Sequence, residues 1–117
     1  MSDEAGFTYF GRVVAGFMEN RGLDQKGLVR RLEEKGHRGI KQQEISRWLR
    51  DSNVPGYIPG MLKDAFGLDE EEDIEFQWAY TYGRVHLSDE EIEDIQRRLN
   101  AYREIRRKRE KRKDSVD

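Results

Sequence analysis

The chain contains no cysteine, only two histidines and no long apolar run. Without cysteine there is no disulfide framework, no thiolate nucleophile and no cysteine-ligated metal, a pattern that fits a reducing compartment. His37 and His86 lie far apart in sequence, so they offer neither metal-ligand spacing nor half of a Ser/His/Asp or Cys/His set. A glycine-rich phosphate loop is absent as well. The acidic run 69–75 resembles a cation site only in composition, because it lacks the spaced loop that calcium requires. These absences predict a protein that is not an enzyme and that holds no metal and no cofactor. No apolar segment approaches the roughly 20 residues of a membrane span, and the start MSDEAGF has no basic-then-apolar leader. The expectation is a soluble cytoplasmic protein with no membrane partner.

What is present is charge. Charged residues make up 39% of the 117 residues and hydrophobic ones 35%, which predicts one small domain with a modest core, plus an appendage. The formal net charge of −2 hides a strong segregation. Residues 21–50 hold nine Lys/Arg against four acids, residues 69–94 hold eleven acids against Arg84 alone, and residues 95–117 hold ten Lys/Arg against four acids. A near-neutral total therefore does not exclude a polyanionic partner. The acidic middle would repel such a partner and is expected to face away from it.

Hydrophobic spacing predicts helices throughout, with no repeat and no sustained strand pattern. Phe10, Val13, Val14 and Phe17 give the apolar face of a first helix, about 8–19, ended by Asn20 and Gly22. Asp24 suits the N-cap of a second, with Leu28, Val29 and Leu32 inward and Gly36 at its end. His37-Arg38-Gly39 forms a turn, and Ile40 plugs it into the core. A third helix, about 41–50, has Ile45, Trp48 and Leu49 inward, while Gln43, Ser46, Arg47 and Arg50 share the opposite face and Gln42 borders it. A fourth starts near Pro59 and closes at Gly67. A fifth, about 69–82, opens on acids and carries a stripe of Ile74, Trp78 and Tyr82, or Ala79 in its place. Ser88 to Glu91 is a capping box opening a last helix with Ile92, Ile95, Leu99 and Tyr102 at heptad-like spacing. Residues 106–117 read as a basic tail that is frayed or disordered.

The second and third helices with their glycine-containing turn have the pattern of a helix-turn-helix, whose second helix is built to enter the DNA major groove. Glutamine amides there can pair with adenine and an arginine with guanine. The candidate base contacts are Gln42, Gln43, Ser46 and Arg47. Lys26, Arg38, Lys41, Arg50 and Asn53 are the candidate phosphate contacts.

Asp24-Gln25 opening one helix and Gly39 to Trp48 (GIKQQEISRW) opening the next resemble the phage-repressor family (lambda repressor/Cro, or XRE). Asn53-Val54-Pro55 and Met61 to Leu68 (MLKDAFGL) resemble its closing segment. The resemblance covers about residues 8–68. It implies an all-α, five-helix lambda-repressor-like fold, with its helix-turn-helix DNA-binding domain at 1–68. Outside the resemblance, residues 69–105 read as a helical extension, ending in an additional C-terminal helix, that dimerises, and 106–117 as the tail. It also implies that Gln25 hydrogen-bonds a phosphate and that Gln42, Gln43 and Arg47 reach base edges. The source it suggests is bacterial or phage. Two departures stand out: Glu34 to Gly39 is longer than the usual tight turn, and Lys41 occupies the position where Ser or Thr usually caps the helix.

The expectation is a DNA-binding transcriptional regulator, a repressor acting as a homodimer on a double-stranded operator, with Ile92, Ile95, Leu99 and Tyr102 as its dimer seam. Two alternatives remain open. One is an antitoxin-type protein that binds a toxin through residues 69–117 and regulates its own operon. The other is a helical adaptor that no longer binds DNA.

Overall fold

The local signals become six helices. The computed structural model describes residues 6–115, with side chains through residue 110, and no strand occurs among the described residues. Helix α1 spans Tyr9–Asn20, capped by Thr8, whose Oγ1 accepts from the Gly11 amide at 3.0 Å. Helix α2 spans Gln25–Glu34, capped by Asp24, whose Oδ1 accepts from the Gly27 amide at 2.7 Å. Both side chains satisfy an amide that has no partner inside the helix. Both helices also end alike. Gly22 and Gly36 take φ of +64° and +92°, and the amide after each reaches back to Met18 and Leu32 at 2.8 Å. This is the left-handed glycine stop that closes orphan carbonyls.

Helix α3 (Gln42–Arg50) follows a linker of residues 35–41, in which Gly39 is a second left-handed position. The linker is long, as the sequence indicates, and His37 ties it to α4 (Ile58–Phe66) through Asp64 at 3.2 Å. Gly67 closes α4 with φ +61°. Helix α5 (Glu70–Tyr82) opens on a capping box, Asp69 with Glu72. Helix α6 (Asp89–Ser115) opens on Ser88 and Glu91, which exchange hydrogen bonds at 3.0 and 3.2 Å.

Within residues 1–86, which form one contact unit, α1 packs on α3 and α5, α2 packs on α3 and α4, and α4 touches α5. Phe10, Leu28, Leu32, Ile45, Ile58, Leu62 and Phe76 are fully enclosed. The division of contacts falls after His86, and α5 supplies core to the first unit. The face it buries follows the Ala79 alternative, with Phe76 taking the place expected of Ile74, Trp78 and Tyr82. Phe76 and Ala79 are at 0% exposure, whereas Ile74 and Trp78 are half-buried and Tyr82 is 56% exposed. The Phe10 ring explains this. It meets Phe76 at 5.5 Å and Tyr80 at 5.6 Å between centroids, and Phe17 meets Phe76 at 6.2 Å. An aromatic cluster of this kind adds to area burial through edge-on and tilted ring contacts.

The second unit, residues 87–117, contains α6. Its helix continues through Ser115, well into the segment expected to fray. Ion pairs one turn apart, Arg98 with Asp94 at 3.1 Å and Arg106 with Glu110 at 3.9 Å, lie along it. Among the described residues no helix is long and apolar enough to cross a membrane.

Candidate nucleic-acid interface

The two sides of α3 differ sharply. Ile45, Trp48 and Leu49 are at 5% exposure or less, which fixes the helix on α1 and α2. Gln42, Gln43 and Arg47 are exposed on the other side, and Ser46 is half-buried between them. A shallow groove of about 520 Å³ is lined by Gln25, Lys41, Gln42, Gln43 and Ser46. The first turn of α2 and the first turn of α3 thus meet at one surface, although the two sets of residues are separated in sequence by the whole of α2 and the linker.

The α3 N-terminus is capped in an unusual way. A lysine side chain has no acceptor, so Lys41 cannot satisfy the free amides there. Instead Glu44 turns back and accepts from the Lys41 amide at 3.3 Å. Glu44 is thus the returning half of a capping box. Lys41 is left extended and exposed at the edge of the groove.

The other end of α3 is fixed by the start of α1. The Leu49 carbonyl has no partner inside α3, and it accepts from the Thr8 amide at 3.0 Å. Gly11 lets the two backbones approach: a Cβ there would overlap the Leu49 carbonyl. Thr8 and Gly11 were not singled out as site residues, because a contact across 41 residues has no signature in local spacing.

The remaining candidates separate into groups. Lys26, in the first turn of α2, and Asn53, in the loop 51–57, are exposed. Arg38 is exposed but lines a different groove, of about 480 Å³, with Arg30, Glu33 and Glu34. Arg50 is half-buried, donates from Nε to Ser46 Oγ at 3.4 Å, and holds its guanidinium 5.1 Å from the centre of the Phe7 ring. Arg31 donates to the Ala65 carbonyl at 3.2 Å, so it braces α4. Arg21 does more of the same: it donates to the Phe66 and Phe17 carbonyls at 2.8 and 3.3 Å and pairs with Glu72 at 2.9 Å. That pairing, with the Asp69 amide behind it, holds the Glu72 carboxyl below its ordinary range.

In the seam of α6, Ile92 and Ile95 are half-buried, Leu99 is at 2% exposure and Tyr102 at 42%, with Ile105 beyond it at 51%. The apolar positions of that helix are therefore unequally presented. Among the described residues no group of His, Cys, Asp and Glu is placed to hold a metal. No family model matches the chain, and neither a curated protein nor a solved structure matches it.

Proposed function

We propose that this protein is a sequence-specific DNA-binding transcriptional regulator, a lambda-repressor-like helix-turn-helix protein that reads the major groove with α3 and acts as a dimeric repressor. One observation carries the reading. Gln25, Lys41, Gln42, Gln43 and Ser46 meet at a single groove, in front of a helix anchored from behind by Ile45, Trp48 and Leu49. Side chains that can read base edges stand beside ones that can hold phosphate, which is the division of labour that base recognition needs. Lys26, Lys41 and Asn53 serve as backbone contacts around that face. Arg38 lies in a groove with two glutamates and is the weakest member of the set. A nine-residue helix covers few base pairs, so a two-fold pair reading two half-sites supplies the missing specificity.

The test is selection of bound sites from a random duplex library at near-physiological salt, with wild type and Arg47→Ala in parallel. An enriched palindromic motif that changes in the variant supports a sequence-reading dimer. Salt-sensitive retention with no enriched motif in either protein removes the reading. A second proposal, an antitoxin-type protein, draws on the exposed Tyr102 and Ile105 of the separate unit 87–117. A toxin that co-purifies with the wild type and is lost on Tyr102→Ala with Ile105→Ala would favour it.

A further inference from the structure

Arg50 was expected to reach a phosphate, yet two contacts and a close stretch of backbone hold it at the protein. Its guanidinium lies over the Phe7 ring at 5.1 Å. Its Nε donates to Ser46 Oγ at 3.4 Å, a long bond. The backbone at Gly6 passes so close that a Cβ there would lie 2.8 Å from Nη1. Phe7 is itself buried, at 8% exposure, so the ring is a fixed platform. A cation within about 6 Å of an aromatic centroid is attracted by the ring quadrupole, the more so when partly desolvated.

We infer that Phe7 and Arg50 form a brace that sets the Ser46 hydroxyl as a hydrogen-bond donor on the reading face. The inference rests on the DNA-reading proposal and deepens it. A serine hydroxyl has one O–H and two lone pairs and rotates to suit its neighbours. With the Arg50 donor on its oxygen, the hydrogen is directed away from Arg50. The adjacent positive charge also makes the oxygen a poorer acceptor and the hydrogen a better donor. Ser46 lines the groove with Gln42 and Gln43, so the hydrogen is available to a ligand there. The ligand edge it fits is an acceptor: O6 or N7 of guanine, N7 of adenine, or O4 of thymine, in preference to the N4 donor of cytosine. In this arrangement Phe7 is a positioning residue that never touches DNA, and Arg50 acts through Ser46.

The experiment is the same duplex selection, followed by affinity measurements on the selected site and its single-base variants. It uses wild type, Ser46→Ala, Arg50→Ala, Phe7→Leu and Phe7→Tyr. Ser46→Ala marks the base pair opposite Ser46. Arg50→Ala and Phe7→Leu are expected to relax preference at that one position by on the order of 3- to 10-fold, the value of a single net hydrogen bond. Phe7→Tyr keeps the ring and should keep the preference, and Phe7→Leu with Arg50→Ala should relax it no further than either alone. Proton NMR of the free protein adds a readout without DNA: the Arg50 δ-methylene signals should be shifted upfield by the Phe7 ring, and Phe7→Leu should abolish the shift. An unshifted Arg50 overturns the brace. So does a loss on all sequences alike with a smaller salt slope, which makes Arg50 a phosphate contact, or an unchanged preference in Phe7→Leu. A wild type that enriches no motif overturns the DNA-reading proposal itself, and the Ser46 preference with it.

Discussion

Helices α3 and α5 carry similar shares of charged residues, three of nine and five of thirteen, yet only one of them shows its orientation in sequence. In α3 every apolar residue, Ile45, Trp48 and Leu49, falls on one side and every exposed polar one on the other. In α5 apolar side chains occur all around: Ile74, Phe76, Trp78, Ala79, Tyr80 and Tyr82. Several stripes can be drawn through such a helix, and spacing does not choose among them. The choice is made by the shape of what lies opposite. The Phe10 and Phe17 rings accept Phe76 and Tyr80, and Trp78 is left to pack on Tyr82 at 5.0 Å. A helix with one apolar side declares its orientation, and a helix with several takes it from its neighbours.

The contrast is sharpest in stability. Phe76→Ala should cost about 3–5 kcal/mol, the range for emptying a fully enclosed aromatic site. Tyr82→Ala, on the stripe drawn from spacing, should cost about 1 kcal/mol or less, since it forfeits little beyond one ring contact. Urea denaturation of both variants checks this. Equal losses would restore the Ile74/Trp78/Tyr82 stripe as the buried side.

Capping makes the same point about what a sequence shows. Asp24, Gly22, Gly36, Gly67 and the Ser88/Glu91 box were all legible, because each acts within a few residues of itself. The all-helical character was legible for that reason too. Phe76, the Arg21 contacts to Phe66 and Glu72, and the Thr8 and Gly11 contacts to Leu49 were not, since their partners lie 38 to 66 positions away and depend on the assembled fold. Of the candidate site, the exposure of Gln42, Gln43 and Arg47 was legible in the spacing, whereas Ser46 and Arg50, placed on the same face, are half-buried. Its meeting with Gln25 was supplied only by the resemblance, and the holding of Arg50 by Phe7 was not foreseen.

Gly11 tests how firmly α3 is held. Gly11→Ala forces a side-chain carbon against the Leu49 backbone, which cannot rotate away, so α1 and α3 must separate. The expected cost is about 1–3 kcal/mol, as for overpacking elsewhere, despite the better helix propensity of alanine. Gly16→Ala, where a Cβ meets nothing within 4 Å, should be neutral or stabilising. Thermal melts of the pair decide it, and a harmless Gly11→Ala would mean the close approach is absent.

The exposed side of α3 should be distinguishable from its surroundings by the kind of loss. Gln43→Ala and Arg47→Ala should each cost about 1–3 kcal/mol on the selected site and relax one base position. Lys26→Ala should weaken every duplex alike and reduce the slope of log affinity against log salt by about 0.9. Titrations on selected and random duplexes at several salt concentrations separate the two. Identical behaviour of Arg47→Ala and Lys26→Ala would erase the distinction between reading and anchoring.

The smallest effect comes from acid, and it separates α5 from α6. The Glu72 carboxyl is held below its ordinary value first by the hydrogen bond from Arg21 and then by the Asp69 amide. A carboxyl lowered in the folded state binds its proton more readily when unfolded. Its contribution is therefore complete above the ordinary value of 4.5 and is lost as pH falls from there through the lowered folded value. Glu91 is lowered as well, through its hydrogen bonds to Ser88, but it stands in full solvent at the start of α6. Glu72→Gln should flatten the acid limb of the stability curve below that pH, because Glu72 joins α5 to the Arg21 that also closes the ends of α1 and α4. Glu91→Gln should leave that limb nearly unchanged, since its loss frays only the first turn of α6. Melting temperatures measured from pH 7 downward in both variants check the order, and a larger change in Glu91→Gln would mean that the acid-sensitive contact lies in α6 and not at Arg21.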